Sequence, residues 1–186
     1  MGGWGCVWGG LRLVALGTLL FAWATPDLAA EEPELGPDLA VAPRSPRVRL
    51  RDPETARRVR VAVEGARHKL LRDECRELLR VFRDPEGHTL AANLEGRGQA
   101  ADEHLRGLFF YDGTGGGRCQ ASGVAAQTSP GSRVVLVCPG FKKLAQKGQG
   151  AAENVVIHEM LHTLGLGENP PASTEINAAV ARHCGP

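Results

Sequence analysis

The chain has 186 residues, 42% of them hydrophobic, and its 22 basic and 21 acidic side chains leave a formal net charge of +1. This length and composition predict one globular domain with a substantial core. The balanced charge argues against a nucleic-acid partner, because proteins that bind nucleic acids need an excess of Lys and Arg to contact the phosphates. The many arginines of residues 44–83 alternate with Asp and Glu, as on a solvated helix face.

The first residues have the organisation of an export signal. Arg12 precedes an apolar run over residues 13–21, and Ala22-Trp23-Ala24 follows as an A-x-A-like cleavage site. The run is too short to span a bilayer. We therefore predict a signal peptide over residues 1–24, with Ala30 as an alternative end. The protein is expected to be secreted or periplasmic, without stable membrane insertion.

Export changes the meaning of the cysteines. One of the five lies in the signal, and four remain: Cys75, Cys119, Cys138 and Cys184. An even number in an oxidising compartment predicts two disulfide bonds, for which three connectivities exist. None of the four forms a CxxC pair, so a cysteine zinc site is not expected.

The N-terminal half reads as a lead-in followed by helices. Residues 31–51 are rich in Pro and acidic side chains, which predicts an extended lead-in before a domain over residues 52–186. Apolar residues at helical spacing then form two series, one residue out of phase: Val59, Val63, Ala66 and Leu70, then Leu71, Cys75, Leu78, Leu79 and Phe82. The shift predicts two helices, or one kinked near Arg72, with Asp73 as a cap of the second. Residues 89–108 predict short helical pieces broken by Gly96 and Gly98.

The C-terminal half begins with strand signals and ends with helices. Residues 108–111 predict a strand, and residues 124–128 and 133–137 predict a hairpin around the type II turn Ser129-Pro130-Gly131-Ser132. Residues 141–149 are interpreted as a link. A helix is predicted from about Ala151 to Leu164, and a last helix from Ser173 or Thr174 to Arg182, with Ser173 as its N-cap.

The central motif is HExxH, His158-Glu159-Met160-Leu161-His162. Residues four apart lie on one helix face, so the imidazoles of His158 and His162 can converge on a single Zn²⁺. Glu159 is close enough to touch a zinc-bound water without ligating the metal, which is where a general base must lie. The alternative is an amphipathic helix that carries two histidines by chance. The apolar residues around the motif favour the metal, because a polar site on a buried helix needs a partner.

This arrangement resembles the zincin metallopeptidases, and most closely their deuterolysin-like branch, the aspzincins. The resemblance lies in Cys119, the strand that ends in Cys138-x-x-Phe141, and the HExxH helix that begins its motif at His158; it covers roughly residues 107–168. It implies an α+β fold with N-terminal helices, a small, mostly antiparallel sheet, the HExxH helix and a short C-terminal helix. It also implies a Cys119–Cys138 disulfide, which leaves Cys75–Cys184. Spacing alone leaves the pairs Cys75–Cys119 and Cys138–Cys184 open.

The third metal ligand is the open point of the resemblance. The aspzincin GTxD segment, which supplies an Asp ligand, is absent, and Glu168 stands where metzincins have a third His. A carboxylate oxygen is an acceptable zinc ligand, so Glu168 is the preferred candidate. Glu175 is the alternative, because gluzincins take their third ligand from a later helix. Glu175 would, however, lie in the first turn of the last helix, where the helix dipole favours a carboxylate without any metal.

The predicted function is that of a secreted, monomeric zinc peptidase that acts on protein or peptide substrates. Zn²⁺ would be held by His158, His162 and Glu168, and Glu159 would activate its water. Residues 133–137 would take an extended substrate at the sheet edge. Two alternatives stay open: a zinc amidase acting on cell-wall peptides, and a non-catalytic secreted binding domain. The oxyanion stabiliser is unassigned, and Asn177, Arg182 and His183 are its candidates. Three further histidines, His68, His88 and His104, are expected at the surface, and Tyr111 is expected to be structural.

Overall fold

The computed structural model of the chain describes residues 46–121 and 123–185. The predicted signal peptide and most of the predicted lead-in lie outside the described residues. Within them, seven α-helices and a four-stranded sheet form the α+β fold that the sequence predicts. The elements are β1 (Arg47–Arg49), α1 (Pro53–Leu70), α2 (Asp73–Val81), α3 (Leu90–Glu95), α4 (Ala101–Arg106), β2 (Phe109–Asp112), β3 (Ala126–Thr128), β4 (Val134–Val137), α5 (Gly140–Lys147), α6 (Gln149–Thr163) and α7 (Ser173–Cys184).

The sheet is mixed, so the prediction of a mostly antiparallel sheet is wrong. Its strand order is β1-β2-β4-β3. The β1–β2 and β2–β4 pairs are parallel, with Phe109 opposite Arg47 on one side and Val134 on the other, and only β3 and β4 are antiparallel. The helices α1 to α4 carry the chain from β1 back to the same end of the sheet, which makes β2 parallel to β1. The last residues of the predicted lead-in thus form an edge strand.

The predicted hairpin is confirmed by its turn and its pairing. The Ser132 N–H donates to the Ser129 carbonyl at 3.0 Å, and Gly131 has a φ of +76°, the conformation that a type II turn requires at its third residue. The hairpin also corrects a functional prediction, because β4 lies between β2 and β3. A substrate cannot add to β4; the free edge on this side of the sheet belongs to β3.

Two predicted helix starts are displaced by one residue. The helices α1 and α2 are separate, but the residue before α2 is Arg72, so Asp73 is the first helical residue and not the cap. Ser173 likewise begins α7, after Ala172. In both places the side chain lies within the first turn and caps no backbone N–H, and the positive end of the helix dipole favours the Asp73 carboxylate there.

The predicted link before α6 is instead the helix α5. Phe141 is buried, and Leu144 and Ala145 are half-buried. These positions are three and four residues apart, so they form an apolar stripe on one helix face. The lysines between them are half-buried or exposed, and they gave the segment its polar, linker-like composition.

The helix α6 is the centre of the fold and packs against α1, α5 and α7. Its close approach to α1 depends on Gly65, where an added Cβ would overlap the Glu153 carboxylate. Lys69 of α1 pairs with that carboxylate at 3.1 Å, and both side chains are largely buried. The absence of a side chain at Gly65 therefore lets a buried ion pair connect the two helices.

Two disulfide bonds tie the outer elements to this core, and they pair as the resemblance implied. Cys75–Cys184 joins α2 to the last residue of α7. Cys119–Cys138 joins a single 3₁₀ turn, Gly117–Cys119, to the residue after β4. The alternative pairing is thereby excluded. Within the described residues, no helix combines the length and the apolar character that crossing a bilayer requires.

Candidate metal centre

The last two turns of α6 carry the HExxH side chains into the interior. His158, Glu159 and His162 are 6%, 5% and 4% exposed. The Nε2 atoms of the two histidines lie 3.0 Å apart. The Glu168 carboxylate joins them from the following loop, and one ligand atom of each of these three side chains lies within 4.8 Å of the others. The three could hold a metal ion.

Each histidine is oriented by a contact at its other ring nitrogen. His158 Nδ1 lies 2.8 Å from Asn177 Oδ1, and His162 Nδ1 lies 2.8 Å from the Leu166 carbonyl oxygen. Both partners are acceptors, so each Nδ1 carries the proton and donates it, and each Nε2 is left with a lone pair.

Two lone pairs that face each other at this distance repel unless a cation lies near both. Tetrahedral zinc, with bonds of about 2.0–2.1 Å to nitrogen, sets two ligating nitrogens about 3.3 Å apart. The observed separation of 3.0 Å is close to that value. The donor set and its geometry therefore fit a metal ion.

Glycine allows the chain to turn back at the end of α6. Gly165 has a φ of +109°, which residues with a side chain rarely adopt. The Leu166 N–H donates to the Leu161 carbonyl at 3.2 Å, and the Leu166 carbonyl then meets His162. This reversal also brings Glu168 to the mouth of the site.

The Glu159 carboxyl group is buried without a full set of partners. Among the described residues, its Oε2 has no hydrogen-bond partner. Burial and, to a smaller extent, the nearby charge of Glu168 raise its pKa to about 7, while the adjacent Thr128 hydroxyl opposes the rise. Burial and the neighbouring His162 lower the pKa of His158 to about 4. At neutral pH the site thus holds a neutral imidazole beside a carboxyl group that can both accept and release a proton.

These side chains line a cleft of about 680 Å³, whose opposite side is β3. The Cys138 N–H donates to the Ala125 carbonyl at 2.9 Å. Because backbone groups alternate along an antiparallel pair, the N–H and C=O groups of Ala126 and Thr128 point away from β4. The cleft is therefore bordered by an unpaired strand edge.

Glu175 and Tyr111 lie away from the converging groups. Glu175 is exposed in the first turn of α7 and is not one of the described side chains that meet at the two histidines. Tyr111 stacks on Phe109 with 6.2 Å between the ring centroids and borders a second groove beside β1. Its predicted structural role agrees with this position.

The expectation of a surface position holds for His68 and His88, which are exposed, but it is wrong for His104. His104 is completely buried, and its Nε2 lies 2.8 Å from Thr163 Oγ1. The Thr163 hydroxyl in turn donates to the Met160 carbonyl at 2.7 Å. Burial and the nearby positive charges of Arg97 and Arg133 lower the pKa of His104 to about 4. His104 therefore supports the last turn of α6 from behind.

The sequence raised Asn177 only as a candidate oxyanion stabiliser, whereas the structure shows it in contact with His158. Nineteen residues separate the two, and no local pattern links them. The signal that could have indicated the contact is the spacing of Asn177 three residues before buried Val180, which places both on one side of α7.

Comparisons with known proteins give no match among family models, curated proteins or solved structures. The centre is therefore defined by its own geometry: two oriented histidines and a glutamate that could bind a metal, beside a buried carboxyl group and a free strand edge.

Proposed function

We propose that the protein is a zinc-dependent peptidase of the zincin type that acts on proteins or peptides after export. The observation that carries the proposal is the convergence of His158, His162 and Glu168 beside the unpartnered carboxyl group of Glu159. Two imidazole nitrogens and one carboxylate oxygen, with a further position open to the cleft, are a donor set that suits catalytic zinc. The two disulfide bonds are consistent with an oxidising compartment.

Zinc, when bound, supplies Lewis-acid chemistry that polarises a carbonyl group and makes water nucleophilic near neutral pH. His158 and His162 would hold it through Nε2, and Glu168 through a carboxylate oxygen. Glu159 takes the proton of the attacking water and passes it to the amine that leaves when the peptide bond breaks. The pKa of about 7 suits both steps, because the group gains and loses a proton with little cost at that pH.

The exposed edge of β3 supports an extended peptide as the substrate. A peptide chain beside β3 would pair with the N–H and C=O groups of Ala126 and Thr128, as strands do when they add to a sheet. Thr128 also lies against Glu159. Backbone pairing at this edge would therefore bring a peptide bond next to the general base.

Two alternatives use the same cleft. A zinc amidase acting on cell-wall peptides would need the same four side chains, and cleavage of linear peptides distinguishes it from a peptidase. A non-catalytic binding domain would have no use for Glu159. Because burying a carboxyl group without a full set of partners is costly, its position favours a catalytic role.

The proposal is tested by the metal content and by activity on unfolded protein substrates. The purified protein without its signal peptide should contain one tightly bound zinc by elemental analysis. Glu159→Gln should keep the zinc and lose activity by about 10²–10⁴-fold, the contribution of a general acid–base group. Glu86→Gln, at an exposed position, is the matched control and should stay active. A protein without bound zinc, or Glu159→Gln with wild-type activity, would refute the proposal.

A further inference from the structure

A single arginine lies at one end of the cleft. Arg118 belongs to the 3₁₀ turn Gly117–Cys119 and lines the cleft together with the metal-site residues. Its Nη1 donates to Ser129 Oγ at 2.6 Å. Cys119, the next residue, is bonded to Cys138, which anchors the turn to the end of β4. The guanidinium group is therefore held where β3 ends, one residue beyond Thr128.

The charge of Arg118 is not compensated by another described residue. It is the only Lys or Arg among the described residues that line the cleft, and the acidic residues there are Glu159 and Glu168. No described carboxylate pairs with Arg118, whereas the arginines Arg58, Arg76, Arg80 and Arg106 pair with a carboxylate on their own helix. Ser129 is neutral and accepts from one of its five N–H donors. Donors and positive charge thus remain for a ligand in the cleft.

We propose that Arg118 is a specificity-determining residue that selects peptides with a carboxylate at the β3 end of the cleft. The inference deepens the proposed function and rests on it, since the ligand is a peptide beside β3. A planar guanidinium group recognises a carboxylate through two parallel hydrogen bonds. Its positive charge also attracts an acidic peptide to this end of the cleft.

The carboxylate has two sources, an acidic side chain near the cleaved bond or the C-terminus of the peptide. The first corresponds to an endopeptidase that prefers Asp or Glu. The second corresponds to removal of residues from the C-terminal end. Both sources present the same carboxylate group and differ only in its position along the peptide, so one set of peptides distinguishes them. Extended peptides of equal length carry Glu or Gln at each position in turn, each with a free or an amidated C-terminus.

Binding is measured first, so that the test does not depend on turnover. Zinc-loaded Glu159→Gln protein is titrated with fluorescently labelled versions of these peptides. We expect the peptide that places its carboxylate at Arg118 to bind about tenfold more tightly than its neutral counterpart, as for a hydrogen bond to a charged group at a partly exposed site. Adding Arg118→Gln should abolish the preference, and Arg118→Lys should retain part of it. Arg57→Gln removes an exposed arginine of α1 and should leave it unchanged.

Three results would overturn the assignment. The first is equal binding of acidic and neutral peptides, and the second is a preference for acidic peptides that survives Arg118→Gln. The third is a preference that Arg57→Gln weakens as much as Arg118→Gln does. If Arg118→Gln does not fold, the salt dependence decides, because a preference from a partly exposed ion pair declines as ionic strength rises. A preference independent of salt would then overturn it. Cleavage of the neutral peptides by the wild-type enzyme tests the proposed function separately, since Arg118 is not needed for it.

Discussion

Replacing Glu159 with Gln should stabilise the metal-free protein above neutral pH, although it removes the proposed general base. The carboxyl group is 5% exposed, and its pKa is raised from 4.5 to about 7 by burial and then by Glu168. Between these two values the folded protein keeps a proton that the unfolded chain has lost. The free energy of unfolding therefore falls as the pH rises through this window. Gln does not ionise, so the variant escapes the loss.

The size of the effect follows from the two pKa values. They differ by about 2.5 pH units, and one unit corresponds to about 1.4 kcal/mol. The variant should therefore match the wild type near pH 4.5 and exceed its free energy of unfolding by about 3 kcal/mol at pH 8. This is a large fraction of the stability of a domain of this size. Natural selection would retain so costly a group only for its function.

The assay is urea denaturation of EDTA-treated protein at several pH values between 5 and 8. Glu86→Gln serves as the control, because its side chain is exposed and its substitution should give a difference that does not change with pH. The reasoning is refuted if Glu159→Gln is less stable than the wild type at pH 8, or if the difference between them is constant over the range.

Three further predictions concern the ligands and the helix that carries them. Glu168→Gln should weaken zinc binding more than about 100-fold, which exceeds the usual effect of changing a residue that only supports a ligand. Glu175→Gln should leave zinc binding unchanged. Isothermal titration with zinc compares the two variants, and a larger loss for Glu175→Gln would identify Glu175 as the ligand. Asn177→Ala should lower zinc affinity about 10–100-fold, because it removes the acceptor that orients His158. Asn177→Asp keeps that acceptor and should preserve the affinity. An affinity in Asn177→Asp as low as in Asn177→Ala would mean that the amide nitrogen of Asn177 faces the ring. Gly65→Ala should lower the free energy of unfolding by about 2–4 kcal/mol, because displacing Glu153 from its buried ion pair costs about 3–5 kcal/mol and the gain in helix propensity is only about 1 kcal/mol. Chemical denaturation measures this change, and a variant more stable than the wild type would show that helix propensity prevails.

Features with local signals could be predicted from the sequence. The hairpin follows from a Pro-Gly turn that precedes a run rich in β-branched residues, and the first two helices follow from apolar spacing with a phase shift near Arg72. The histidines of α6 meet because their separation of four residues matches one helical turn. Each of these depends on interactions within about twenty residues, where the chain itself fixes the geometry.

Features that depend on distant packing could not be predicted. The parallel pairing of Phe109 with Arg47 depends on the path of four helices between them, and sequence spacing does not encode that path. His104 has charged neighbours, yet the one face of α4 that it occupies packs against Thr163. The choice between Glu168 and Glu175 likewise depends on the turn at Gly165, which sends one carboxylate back over the cleft and leaves the other on the outer surface.

The Cys75–Cys184 bond fixes the helix that orients one of the candidate metal ligands. It closes the far end of α7 onto α2, and α7 is the helix that holds Asn177 against His158. In a reduced chain, α7 would be held only by packing and by hydrogen bonds such as the one that Arg72 donates to the Cys184 carbonyl, so the contact that orients His158 would be weaker. Oxidation of the two cysteines would then complete the centre. For the peptidase proposed above, this order of events would keep activity low in the cell that makes it.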